Sequence, residues 1–154
     1  MLVIKILKGE KVLGPHLMLD CYGCDENKLK DLDFVLKFLD DLPDLIGMHK
    51  IAEPHAIDYP GNPKSFDRGG ISAVVIIAES HISIHTFPSR NYMSVDIFSC
   101  KNFDVNKTIE FIVKSFGVKK FEKKLLNRGL EFPREVPKAV EIVKEQRKEI
   151  ELEC

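Results

Sequence analysis

The sequence predicts an α+β fold: a two-layer sandwich in which an antiparallel sheet carries helices on one face. Three observations lead there. Ile71–Cys100 holds three consecutive strand-like runs separated only by short breaks. Two further segments repeat apolar residues at helical spacing. Only a few residues lie between the central runs, which is enough for hairpins and too little for the crossovers a parallel sheet needs.

Taken in order, Leu2 to Leu7 reads as a strand, Gly14-Pro15 breaks it, and His16 to Tyr22 reads as a second strand. Asn27 to Asp41 reads as one helix, with Leu29, Leu32, Leu36 and Leu39 on its apolar side and Pro43 as its stop. Met48 to Tyr59 reads as a strand interrupted by Pro54, and the Gly- and Pro-rich stretch from Pro60 to Gly70 reads as a loop. Ile71 to Ala78 is a continuous apolar run rich in β-branched residues, predicting a strand buried on both faces. It ends at Glu79-Ser80-His81. Ile82, Ile84 and Thr86 then alternate with His81, Ser83 and His85, the pattern of a half-buried strand, which Pro88 stops. Tyr92 to Cys100 alternates again. Asp104 is a suitable N-cap for a helix reaching Phe116, with Gly117 as its stop. Lys119 to Leu126 reads as a charged edge strand, and roughly Ala139 to Glu151 as a charged C-terminal helix. Without repeat, low-complexity tract or linker, residues 1–154 are expected to form one domain.

Composition narrows the function classes. The 154 residues are 44% hydrophobic, which suits a folded core. Lys plus Arg number 23 against 24 Asp plus Glu, a formal net charge of -1 that offers no basic surplus for nucleic acid. The longest apolar run is far short of the ~18 residues of a membrane span. The N-terminus lacks the features of a signal peptide, so a cytoplasmic, reducing location is expected. Cys21 and Cys24 form a C-x-x-C; without a second ligand pair they read as ordinary thiols, and no metal is expected.

Read unaided, the central stretch places a Ser, Ser80, at a sharp junction between two strands. His81 and His85 follow on one face of the second strand, and Cys100 ends the third. A nucleophile, bases and a proton donor are therefore expected within about one antiparallel ladder. A strained junction is what an intramolecular attack can exploit.

The run Ala78-Glu79-Ser80-His81-Ile82-Ser83-Ile84-His85-Thr86 resembles the processing-site motif of the short, prokaryotic class of S-adenosylmethionine decarboxylases. The resemblance extends from Gly14 to about Gly129, through Gly14-Pro15-His16-Leu17 and Tyr22-Gly23-Cys24-Asp25, and is dense from Ser72 to Cys100. It implies a pyruvoyl-dependent enzyme that cuts itself between Glu79 and Ser80 into a β chain, 1–79, and an α chain, 80–154. It implies that Ser80 becomes the pyruvoyl group, the covalent cofactor that forms a Schiff base with substrate. His85 is implied as the base for β-elimination, Cys100 as the donor that returns a proton to Cα after decarboxylation, and Ser72 as an aid to processing. His81 matches a structural position. Phe66 matches an aromatic that stacks on the substrate's adenine, and Phe87 keeps a ring where many members have Trp. The resemblance further implies homodimers that pair sheet against sheet, with active sites between the sheets.

One position departs from the pattern. Members usually read Thr-Trp-Pro-Glu where this chain reads Thr86-Phe87-Pro88-Ser89. The missing carboxylate is implied to hold the ribose hydroxyls, and its loss would cost about 1.5–3 kcal/mol of binding. A pyruvoyl-dependent arginine or ornithine decarboxylase of the same family is therefore the alternative on sequence. A non-catalytic α+β metabolite-binding module, with Ser80 never cut, is the second. A Cys/His hydrolase lacks any distinct oxyanion site near Cys100.

Overall fold

The structure, a computed structural model, describes residues 12–129. The expected strand at Leu2 to Leu7 and the expected helix at Ala139 to Glu151 lie outside them. Pro15–Leu126 form one compact unit, and outside it residues 12–14 and 127–129 are described.

Among the described residues, six strands form one sheet: β1 (Gly14–Tyr22), β2 (His55–Tyr59), β3 (Gly70–Ile77), β4 (Ser80–Phe87), β5 (Tyr92–Ser99) and β6 (Lys120–Arg128), in the spatial order β2-β3-β4-β5-β1-β6. The pairs β2–β3, β3–β4, β4–β5 and β1–β5 are antiparallel. Three helices join them: α1 (Glu26–Lys30), α2 (Leu32–Leu45) and α3 (Val105–Phe116). The predicted α+β class is thus observed in the described residues.

One sheet face makes the core. Leu17, Leu19, Val75, Ile77, Ile82, Ile84, Val95 and Ile97 point into it and meet Val35, Phe38, Leu39, Leu42, Ile112 and Phe116 from the helices. The rings of Phe38 and Phe116 meet edge to face at 4.9 Å. Thr86 ties sheet to helix: its hydroxyl accepts from the Ile71 N–H at 2.8 Å and donates to the Leu29 carbonyl at 2.9 Å.

Four expectations are corrected. Ile71 to Ala78 is not buried on both faces in the single chain. Ile71, Ala73, Val75 and Ile77 are buried, whereas Ser72 and Ile76 are exposed. An apolar run bounds what a strand can bury, not what covers it. The single helix from Asn27 to Asp41 is two helices. Asp31 ends α1 and caps α2, its carboxylate accepting from the Phe34 N–H at 2.9 Å. Pro43 does not stop α2 but lies buried in its last turn, where its carbonyl accepts from Met48 at 2.8 Å. Of Met48 to Tyr59 only His55–Tyr59 is a strand, although Lys50 bridges Ile77 beyond its start.

At the entry to β3, Gly70 has φ +151°, and a Cβ there would lie 1.9 Å from the Thr86 carbonyl oxygen. Only glycine allows β3 to start this close to β4, which sets the register that places Ser72 opposite His85.

Candidate active site

The β3–β4 hairpin closes through two residues, Ala78 and Glu79, between the paired Ile77 and Ser80. Two-residue hairpin turns normally take a positive φ at their first central residue, matching the twist of the strands. Here neither Ala78 nor Glu79 has one; the positive φ falls on Ser80, at +143°. L-residues rarely adopt that backbone, and it costs of order 1–3 kcal/mol unless its surroundings enforce it. The junction the sequence marked as sharp is strained at the residue after the peptide bond in question.

Two neighbouring segments enforce it. The Cys100 N–H donates to the Glu79 carbonyl oxygen at 2.8 Å. Cys100 is held by the bend after β5, where the buried Ser99 hydroxyl donates to the Lys101 carbonyl at 2.7 Å and accepts from the Lys101 N–H at 2.9 Å. On the other side the Ala78 N–H donates to the His49 carbonyl at 2.8 Å. The Glu79 carboxylate accepts twice from His49, from its backbone N–H at 3.0 Å and from Nδ1 at 2.8 Å. Burial acts to raise the Glu79 pKa, but these hydrogen bonds outweigh it and hold the carboxyl below its ordinary 4.5. Glu79, Ser80 and Cys100 are therefore together at one end of the sheet, with the Cys100 thiol exposed.

Ser72 and His85 are also together, but elsewhere. They face each other across β3 and β4, and His85 Nδ1 lies 2.9 Å from the Ser72 Oγ. His85 is five residues beyond Ser80, about 16 Å along a strand. The single ladder expected from sequence thus holds two separate clusters. His81, between them, packs its ring 6.0 Å from that of Phe98. Phe87 ends β4 with its ring 5.5 Å from Tyr92, and Phe66 is 74% exposed in the loop before β3. Ser89 lies on a 3-10 turn (Pro88–Arg90) at the His85 end of the sheet. It lines a surface pocket of about 500 Å³ together with Arg68, Lys30 and the carboxylates of Glu26 and Asp58.

Among the described residues no helix covers the sheet face that His85, Ser83 and His81 share with a polar network the sequence did not reveal. Tyr92 donates to Asp20 at 2.6 Å, and His16 lies 3.2 Å from Asp96. The alternation of β1 marks these residues as facing away from the core, but their pairing depends on register with β5. His49 was missed as well, because its link to Glu79 spans thirty residues and belongs to no motif. Cys21 and Cys24 are both buried, and burial pushes their thiols up to about 12 and about 11. Such thiols are inert at neutral pH. Among the described residues no group of three or more His, Cys, Asp or Glu is placed to hold a metal, and no helix is long and apolar enough to cross a membrane.

The comparisons with known proteins agree with this geometry. The family model described as S-adenosylmethionine decarboxylase matches residues 15–129. The chain is 36% identical over 127 residues to the S-adenosylmethionine decarboxylase proenzyme of Geobacillus kaustophilus (strain HTA426), covering 82% of this chain and 95% of that protein. It is 31% identical over 121 residues to the proenzyme of that name from Persephonella marina, covering 78% and 85%. The crystal structure of the adenosylmethionine decarboxylase from Aquifex aeolicus VF5 superposes with a TM-score of 0.66 at 28% identity, covering 81% of this chain and 97% of that one. Fold and sequence together place the chain among small α+β carboxy-lyases. It belongs to the S-adenosylmethionine decarboxylase family.

Proposed function

We propose that this chain is made as a proenzyme, severs itself between Glu79 and Ser80, and then decarboxylates S-adenosylmethionine, supplying the product used in spermidine and polyamine synthesis. The observation that carries the proposal is the strained Ser80, φ +143°, directly after a carbonyl that an N–H already polarises at 2.8 Å. The Ser80 Oγ attacks the Glu79 carbonyl carbon. The C–N bond breaks, the Ser80 nitrogen takes a proton, and an ester joins Glu79 to Oγ. The Cys100 N–H is within the range of a donor to the oxygen that gains charge in that step. Relief of the backbone strain favours it.

A base then removes the Ser80 Cα proton. The electron pair forms a Cα=Cβ bond as Cβ–Oγ breaks, and Glu79 leaves as a carboxylate. Tautomerisation, addition of water and loss of ammonia convert the remaining end into the pyruvoyl group. The products are chains 1–79 and 80–154. The group then supplies an electron-accepting carbonyl for loss of carbon dioxide. The exposed Cys100 thiol holds the proton returned to the substrate's Cα, and Phe66 and Phe87 stack on the adenine.

His85 is the base, with Ser72 bonded to it. Some 16 Å of strand separates this pair from Ser80 in one chain, which supports a homodimer joined through the sheet faces that carry His85. Antiparallel pairing would bring the Ser72–His85 pair of one protomer to the Ser80–Cys100 end of the other. It would also cover Ile76, left exposed in the single chain.

Release of CO2 from S-adenosylmethionine, arginine and ornithine, measured side by side on the cleaved protein, tests the substrate. Turnover of S-adenosylmethionine alone is expected, and preference for either amino acid would contradict the assignment. Ser80→Ala should stay uncut and inactive.

A further inference from the structure

We infer that His49 is a positioning residue for self-cleavage, acting through the Glu79 carboxylate; the inference rests on the proposed cleavage between Glu79 and Ser80. Attack at the Glu79 carbonyl needs that peptide plane held against Ser80. The plane has two handles, its carbonyl oxygen and the side chain of the residue that bears it. Cys100 holds the first. His49 holds the second, donating to one carboxylate oxygen from its backbone and to the other from Nδ1, while its carbonyl takes the Ala78 N–H. Nδ1 is the donor here because an ionised carboxylate only accepts.

Exposure shows what this grip is for. The Glu79 side chain is 10% exposed, yet that of His49 is 74% exposed. A side chain so open to water contributes little to the core, so its contact with Glu79 is its main structural consequence. The segment carrying it is fixed independently: Lys50 bridges Ile77, the Ile51 N–H donates to the Ile76 carbonyl at 3.1 Å, and Lys101 Nζ donates to the Gly47 carbonyl at 2.8 Å. The imidazole therefore projects from a rigid support onto the turn. Losing it would leave the Glu79 carboxylate held by backbone donors alone and free the turn to relax away from the attack geometry.

The test follows the appearance of chain 80–154 over time in freshly made full-length protein. Wild type, His49→Ala and His49→Asn are compared, with Tm measured for each His49 substitution in a Ser80→Ala background. Asn places an amide N–H close to the position of Nδ1. The expected result is cleavage slowed about ten-fold in His49→Ala and largely restored in His49→Asn, with Tm changed by less than about 2 °C. Cleavage of His49→Ala at the wild-type rate would overturn the inference. So would equal slowing in both variants, or slowing that tracks a loss of Tm. Wild-type protein that never cleaves would instead overturn the underlying reading of Ser80.

Discussion

The two ends of the β3–β4 hairpin differ in kind. At the turn, Glu79 is 8% exposed and is gripped from two sides, by His49 at its carboxylate and by the Cys100 N–H at its carbonyl, while His49 also takes the Ala78 N–H and Ser99 fixes Lys101 beside Cys100. At the other end, Ser72 and His85 are exposed and bond across the strands, with His85 two residues before Phe87. One end holds a strained Ser80 gripped from both sides; the other presents an exposed His beside an exposed Ser, about 16 Å of strand away. The contrast teaches that a single chain keeps two clusters apart, which on the proposed reading are complementary halves of a site. Sequence spacing alone compresses them into one.

Four experiments can break or sharpen that contrast. The largest effect is expected from mixing protomers. His85→Ala and Ser80→Ala should each stay uncut when made alone. Made together, the His85→Ala chain should be cut, because its Ser80 meets the His85 of a Ser80→Ala partner. If the mixture stays as inert as its parents, the halves work within one chain. Next, Cys100→Ala keeps the N–H that holds Glu79 and should still cleave, yet lose about 100-fold or more in kcat through loss of its proton donor; CO2 release from the cleaved protein reads this. At the far end, Ser89→Glu should lower KM for S-adenosylmethionine by at least about five-fold by restoring a carboxylate for the ribose hydroxyls. An unchanged KM would show that the Glu26 or Asp58 carboxylates of the pocket already serve.

The smallest effect concerns pH. Glu79 has a lowered folded-state pKa, so its contribution to stability is fully present above the ordinary carboxylate value and is lost as pH falls through the folded one. In a Ser80→Ala background, Tm should therefore fall more steeply as pH drops below the ordinary carboxylate value of 4.5 than in the same protein carrying Glu79→Gln. Parallel slopes would mean that His49 does not grip the ionised carboxylate.

Much of this was legible in the chain because the strongest signals are local. β4 and β5 follow from strict alternation and from Pro88; α3 follows from Asp104 and Gly117, whose αL backbone ends it at φ +63°. Ser80 and Cys100 stood out by position, and both lie at the turn. What failed locally failed for identifiable reasons. Asp31 sits inside a run whose apolar spacing continues through it, so its capping role and the break between α1 and α2 were hidden. The run from Ile71 looked doubly buried because apolar residues on an open face read the same as covered ones. His49 joins the site only through the way its segment meets β3, and the separation of His85 from Ser80 appears only once the strand is laid out in space.

The most direct test is the mass of the freshly purified protein under denaturing conditions. Two chains, 1–79 and 80–154, with the second blocked to N-terminal sequencing, are the predicted result. A single intact chain retaining an ordinary serine at position 80 in protein that releases CO2 would contradict it.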